Sequence, residues 1–271
     1  MYRGFKLKLS HEELKNLYRG LNSELSLLGA TIAADHLFSQ RRKQMFGEMK
    51  KSVECAFRRD GTIDGTKLQE NWFPQIDAHI FISHSHQDEK LAIRLAGWLH
   101  KTFGLDSFID SCLWGYSKEL QRHFDKIFSW LPLNGFYDYS ISHLIADHIH
   151  TMLTMALAQM IDNTECLIFL NTHNSIPPNK TIEQTFNKTI QETFSPWIYA
   201  EIQMSRLARS KTLNEYRECK SNKIAAFSLP VNYPLDTSHL TNLEFMDLCN
   251  WEQKYDNALC PLDILYKLKQ E

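Results

Sequence analysis

The sequence predicts an α/β fold in which a parallel sheet is wrapped by helices. Short apolar runs with strand character, among them Ala78–Ser83 and Cys166–Leu170, are separated by stretches of helical period. The runs are nearly continuous in apolar residues, as strands covered on both faces are. The chain has 271 residues, 43% of them apolar and 12% aromatic, enough for a sizeable core. In such sheets ligands bind outside the carboxyl ends of the strands, so the loops 83–88, 110–116 and 171–196 carry the most interest.

The elements follow in order. Residues 1–70 read as helical. Ser10 and Glu13 have capping-box spacing, and Leu14, Leu17, Leu21, Leu25 and Leu28 follow at helical intervals. A second helical stretch spans residues 32–57, with Leu37, Met45, Met49, Val53 and Phe57 on one stripe, and residues 58–65 are turn chemistry. These stretches predict a helical N-terminal extension over 1–76, ahead of an α/β domain over 77–271. Ala78–Ser83 is the first predicted strand, and the amphipathic run from Asp88 to Phe103 is a helix that Gly104 terminates. Asp106–Ile109 predicts a second strand, His143–Met160 a long helix and Cys166–Leu170 a third strand. Ser195 followed by Pro196 opens another helix, since serine caps well and proline suits the first helical position. Ile224–Leu229 predicts a fourth strand, Leu243–Leu248 a fifth, and Pro261–Lys269 a last helix.

Composition excludes several classes. Thirty basic against 32 acidic residues leave a net charge of −2, which argues against a dedicated nucleic-acid binder. Six cysteines (Cys55, Cys112, Cys166, Cys219, Cys249, Cys260) form no CxxC pair and read as reduced thiols. No apolar run approaches the roughly 20 residues of a membrane helix, and the N-terminus lacks the apolar stretch of a signal peptide. A soluble, cytoplasmic protein is expected, without membrane partners.

The string His84-Ser85-His86-Gln87-Asp88-Glu89 nearly matches the HxHxDH ligand run of metallo-β-lactamase-like hydrolases, in which histidines and an aspartate hold metals that activate water. Glu89 stands where the last histidine belongs, the chain has only ten glycines, and helices rather than strands are predicted upstream. A later cluster of His143, Asp147, His148 and His150 has no clear third ligand on the face that His143 and Asp147 share.

The same string fits another family better. Phe81-Ile82-Ser83-His84-Ser85, then Asp88 and an amphipathic helix, resembles the opening of a Toll/interleukin-1 receptor (TIR) domain. Phe108-Ile109-Asp110-Ser111 before Trp114-Gly115 resembles that family's second strand and following loop. Cys166–Asn171 resembles its third strand, and Ser195-Pro196-Trp197-Ile198-Tyr199-Ala200-Glu201 its Ser-x-Trp-x-x-x-Glu signature. The likeness runs from Asp77 to the C-terminus and is closest to bacterial antiphage-defence proteins of the Thoeris type. Two stretches depart from the family pattern: 117–142, with Phe124, Phe128, Trp130, Phe136, Tyr137 and Tyr139, and 172–193.

The resemblance implies a flavodoxin-like sheet and cleavage of NAD+ between ribose and nicotinamide, giving ADP-ribose or a cyclic isomer that signals to a downstream effector. NAD+ is then a substrate, and no resident cofactor or metal is implied. Glu201 is the implied catalytic carboxylate. Trp197, four residues earlier and so on the same helix face, offers a ring for stacking. Ser83, His84 and Ser85 are implied to bind phosphate or ribose. Asp110, Ser111 and Trp114 belong to the gating loop, and Asn171 lines the same cleft. Self-association through the TIR-like domain and the N-terminal helices is also implied. The competing reading is a non-enzymatic module whose role is assembly alone.

Overall fold

The computed structural model describes residues 1–19, 56–57, 59, 62–113, 117–132, 135–176, 192–193, 195–208, 211–213, 233–234, 237–255 and 260–269. At its centre is a five-stranded, wholly parallel sheet. Its strands are β1 (Arg3–Leu7), β2 (Ile80–Ser83), β3 (Ser107–Phe108), β6 (Cys166–Leu170) and β9 (Thr241–Leu243), in the spatial order β3-β2-β6-β1-β9. β6 is central: Ile168 is the register partner of Phe5 on one side and of Ile82 on the other. All residues of β2 and β6 are buried, as strands covered on both faces must be. Two antiparallel pairs lie outside this sheet: β4 (Trp130–Leu131) with β5 (Phe136–Tyr137), and β7 (Glu192–Thr193) with β8 (Tyr233–Pro234).

The first residues correct the helical reading of residues 1–70 and, with it, the idea of a separate helical extension. Arg3–Leu7 is a strand, and it lies inside the sheet between β6 and β9. Phe5 and Leu7 are fully buried, and Lys6 interrupts them. Arg3, on a strand buried on both sides, is satisfied from the far end of the chain. Its guanidinium donates to Thr241 Oγ1 at 3.1 Å and to the carbonyls of Tyr266 and Lys269 at 3.4 and 3.0 Å, and it covers the Phe5 ring at 5.5 Å. Those partners lie more than 200 residues away in sequence. The arrangement is compatible with a flavodoxin-like sheet in which the N-terminal strand takes the fourth place from the β3 edge. Gly4 leaves room for the Leu240 side chain, whose Cδ2 would stand 2.5 Å from a Cβ and would have to move for any larger residue.

Helices follow the expected periodicity more closely. α1 (His11–Arg19) starts with the anticipated capping box: Ser10 N donates to Glu13 at 2.8 Å and Glu13 N to Ser10 Oγ at 3.2 Å. Leu14 and Leu17 are buried, whereas Leu21, Leu25, Leu28 and nearly all of the second predicted stretch lie outside the described residues. α2 (Gly65–Trp72) is capped by Asp64. α3 (Glu89–Phe103) ends at Gly104 in the left-handed conformation, φ 68°, as predicted. After a short α4 (Asp110–Leu113) and α5 (Ser117–Phe124), a single π-turn (Asp125–Ser129) leads into the β4–β5 hairpin. α6 (Tyr139–Asn163) is longer than the predicted helix, because Asp138 caps it four residues earlier through Ser140 N and Ile141 N.

The predicted strand over 243–248 is a correction. β9 ends at Leu243, and α8 (Phe245–Lys254) begins at once, nucleated by a reciprocal capping box between Glu244 and Asp247. Its Trp251 stacks on Phe103 at 4.0 Å and meets Trp98 edge-on, so α8 packs against α3, and α9 (Pro261–Leu268) follows. The predicted strand 224–229 lies outside the described residues. Among the described residues no helix is long and apolar enough to cross a membrane.

Candidate functional site at the carboxyl ends of β2 and β3

Where β2 ends, the chain leaves the sheet at Ser83, and where β3 ends it turns into α4 at Asp110. β6 and β3 flank β2, so these two exits are neighbours on the carboxyl edge of the sheet. His84, only 6% exposed, fills the gap between them. Its Nδ1 donates to the Ile82 carbonyl at 3.2 Å. A carbonyl only accepts, so in the neutral ring Nε2 is the acceptor for Ser111 Oγ at 3.0 Å. Asp110 Oδ1 lies 3.7 Å from His84 Nδ1.

The acid of the site comes from α7 (Pro196–Leu207), which Ser195 caps by accepting from Ile198 N at 3.3 Å, as its sequence predicts. The face that α7 turns inward is Ile198, Glu201, Ile202 and Ser205. Amphipathic spacing calls for an apolar residue at each of those places. Glu201 breaks the rule at 2% exposure, and its Oε2 has no hydrogen-bond partner. The buried Ser83 hydroxyl is near enough to favour the charged acid but lies outside hydrogen-bond geometry. Burial holds the Glu201 carboxyl well above the ordinary carboxylate range, the Asp110 carboxylate pushes it the same way, and the Ser83 hydroxyl opposes both. Burial also raises Asp110, against the pull of His84. Two neighbouring acids whose charges repel, one buried and one partly exposed, each favour the other's protonated form. Buried orphan polar atoms cost about 1–3 kcal/mol each and are rare in folded chains.

The structure thus brings Ser83, His84, Asp110, Ser111 and Glu201 together. Other expected site residues stand apart from this cluster. Ser85 caps the single 3-10 turn His86–Asp88 through its backbone, accepting from Asp88 N at 2.7 Å. Asn171 directly follows β6, and its N–H donates to the Leu7 carbonyl at 2.8 Å. Trp197 is one turn ahead of Glu201 but lies 37% exposed, edge-on to His150 of α6 at 6.2 Å. Helical geometry explains the difference: Ile198 and not Trp197 continues the buried stripe through Glu201. Trp114 lies outside the described residues, as does most of the 172–193 stretch.

The metal-like string does not converge. His84 is committed to Ser111, the His86 side chain is 88% exposed, and Asp88 is 5% exposed and faces the loop after β6. Among the described residues no group of three or more His, Cys, Asp or Glu is arranged around a common point. Asp88 was expected only as a landmark. It accepts from Thr172 Oγ1 at 2.5 Å and from Asn174 Nδ2 at 2.8 Å, and so ties the β2–α3 loop to the β6 loop. Ser175 Oγ donates to the Leu170 carbonyl at 2.8 Å and completes the clasp. The cue for it in the sequence is the run Thr172-His173-Asn174-Ser175 directly after a strand, a cluster of side chains that bond to nearby backbone.

The arrangement can hold a proton, release it when a positive charge arrives, and present donors and acceptors at a sheet edge. Compared with protein-family models, curated proteins and solved structures, the chain matches none.

Proposed function

We propose that the protein cleaves the bond between ribose and nicotinamide in NAD+, with Glu201 as the catalytic carboxylate, as a TIR-domain enzyme of bacterial antiphage defence. The observation that carries the reading is the buried Glu201 on the inward stripe of α7, its Oε2 outside any hydrogen bond, grouped with Ser83, His84 and Asp110 at the carboxyl ends of β2 and β3. The chemistry suits one carboxylate. The C1′–N bond breaks, and its electron pair neutralises the pyridinium nitrogen, so nicotinamide leaves uncharged and no acid need protonate it. That removes half of the two-carboxylate requirement of ordinary glycosidases. What remains is a ribosyl cation, which an ionised carboxylate stabilises. Water attack yields ADP-ribose and a proton; attack by an adenine nitrogen yields a cyclic isomer.

The raised pKa of Glu201 fits this substrate class. A cationic ring entering the site favours the charged form of a nearby acid, so binding itself ionises Glu201 where it is needed. Asp110 and His84 are the neighbouring groups through which the displaced proton is passed on or retained.

The test is nicotinamide release from NAD+ by the purified protein, followed by chromatography. Glu201→Gln and Glu201→Ala are expected to abolish turnover while the fold persists; unchanged turnover in either rejects the assignment. The competing reading, an assembly module without turnover, is favoured by the exposed apolar residues of the 117–142 stretch. Absence of nicotinamide release in every assembly state would establish it.

A further inference from the structure

We propose that Lys6 and Lys8, at the carboxyl end of β1, hold the diphosphate of a dinucleotide whose ribose lies at Glu201. The identity of the ligand rests on the NAD+ reading above. The anion site itself rests on β1, which lies outside the stretch that resembles TIR domains.

Register places the first lysine. Lys6 and Ser83 are both partners of Phe169, one on each side of β6. Side chains in register across a parallel sheet point to the same face, and two strand spacings put Lys6 about 10 Å from Ser83. Ser83 lies beside Glu201, so the shared face is the one that α7 covers. A second contact agrees. Lys6 Nζ donates to Thr237 Oγ1 at 3.3 Å, and the turn from Thr237 to Leu240 is tied to α7 where His239 meets Ser205, one helical turn after Glu201. Lys8 comes two residues later, with its N–H still in the ladder to the Leu243 carbonyl, and Asn242 of β9 is in register with Lys6. Both are exposed, so among the described residues this end of the face is open to a ligand.

Charge then favours an anion. Lys6 is half-buried, and among the described residues its ammonium has the Thr237 hydroxyl as hydrogen-bond partner and no carboxylate at ion-pair distance. Lys211 and Lys269, also drawn into the fold, each rest on an aspartate, Asp162 at 2.7 Å and Asp247 at 2.6 Å. Burial, with the charge of Lys8 beside it, holds the Lys6 ammonium below the usual lysine range, and an arriving anion offsets both effects. Phosphate suits such a group, because lysine binds it as a point charge. The carboxyl edge is therefore polarised. Glu201 and Asp110 lie at the β2 and β3 end, the two lysines on β1, and β6 between them. A dinucleotide with a cationic ring carries its charges in the same order: ring, ribose, diphosphate. With the ribose at Glu201, the diphosphate crosses β6 toward Lys6.

Isothermal titration calorimetry of the full chain with ADP-ribose and with inorganic pyrophosphate tests the proposal, since both report binding apart from cleavage. Lys6→Met is expected to weaken ADP-ribose binding about 10–100-fold, the worth of one hydrogen bond to a charged group. Lys6→Arg is expected to restore most of it, which a merely structural role would not do. Lys8→Met, at an exposed position, is expected to weaken binding in the same direction, and Lys101→Met, exposed on α3, to leave it unchanged. Circular dichroism confirms the fold of each variant. Equal ADP-ribose affinity in wild type, Lys6→Met and Lys8→Met overturns the proposal. Pyrophosphate binding without ADP-ribose binding overturns it in favour of free phosphates, and binding of neither overturns it outright. Nicotinamide release is scored separately. Lysine-dependent ADP-ribose binding in a chain that releases no nicotinamide keeps the diphosphate site and removes only the cleavage reading. Release that needs Glu201, beside ADP-ribose binding indifferent to both lysines, does the reverse.

Discussion

Replacing Glu201 with glutamine is expected to stabilise the protein increasingly as pH rises. In the unfolded chain this carboxyl ionises near its ordinary value of 4.5, whereas in the fold burial and the Asp110 charge keep it protonated to higher pH. Below the unfolded value both states hold the proton, and the group costs nothing. Above it the unfolded chain releases the proton while the folded chain keeps it. Unfolding is therefore drawn forward by about 1.4 kcal/mol for each pH unit until the folded carboxyl also ionises. Glutamine has nearly the same shape and never titrates, so the variant escapes this loss. The assay is urea unfolding of wild type and Glu201→Gln at intervals from about pH 4.5 to about pH 8.5, with the linkage slope read from the difference. Asp110→Asn removes the second cause and is expected to shorten the window without closing it, because burial remains. Parallel curves for wild type and Glu201→Gln across the range would refute the reasoning, since they would mean that position 201 is solvated in the folded protein.

Four further changes probe the site and its frame. Asp88→Ala removes the acceptor for Thr172 and Asn174 and is expected to cost about 2–3 kcal/mol in chemical denaturation, as loss of a buried charged acceptor does; a loss under half that would mean that the clasp is solvated. Ser111→Ala deletes the hydroxyl bonded to His84 Nε2, with an expected cost of about 1 kcal/mol. His84→Ala removes the ring that holds Asp110 down, so the Asp110 carboxyl is expected to titrate higher still in a carboxyl-detected NMR titration. Gly4→Ala drives a methyl to within 2.5 Å of Leu240 and is expected to cost about 1–3 kcal/mol by overpacking, read as a lowered melting temperature.

Local chemistry made much of the fold legible. Caps are interactions between residues three or four apart, so Ser10 with Glu13, Gly104, and Ser195 with Pro196 are visible without tertiary context, and each is observed where predicted. Continuous apolar runs such as Cys166–Leu170 announce strands covered on both faces for the same reason. From such signals the parallel sheet and the loops at its carboxyl edge were both readable, whereas Ser83, His84, Asp110, Ser111 and Glu201 were marked as one site only by the resemblance to TIR domains. The strand over 243–248 failed on a local cue that was present, the Glu244–Asp247 box, which outweighs a short apolar run.

Three features were settled by the tertiary structure alone. Arg3, Gly4 and Lys6 make the first strand look like a poor one, yet it lies between β6 and β9 because Thr241, Tyr266 and Lys269 satisfy the arginine and Leu240 fills the space above the glycine. Trp197 and Glu201 share a helix face by spacing, but only packing against the sheet decides that the acid is buried and the indole is not. The proton affinity of Glu201 belongs to neither residue nor motif. It arises from the low-dielectric contact of α7 with the ends of β2 and β3, where two chain segments some ninety residues apart bring a second acid close, and no pattern within one segment can encode that meeting.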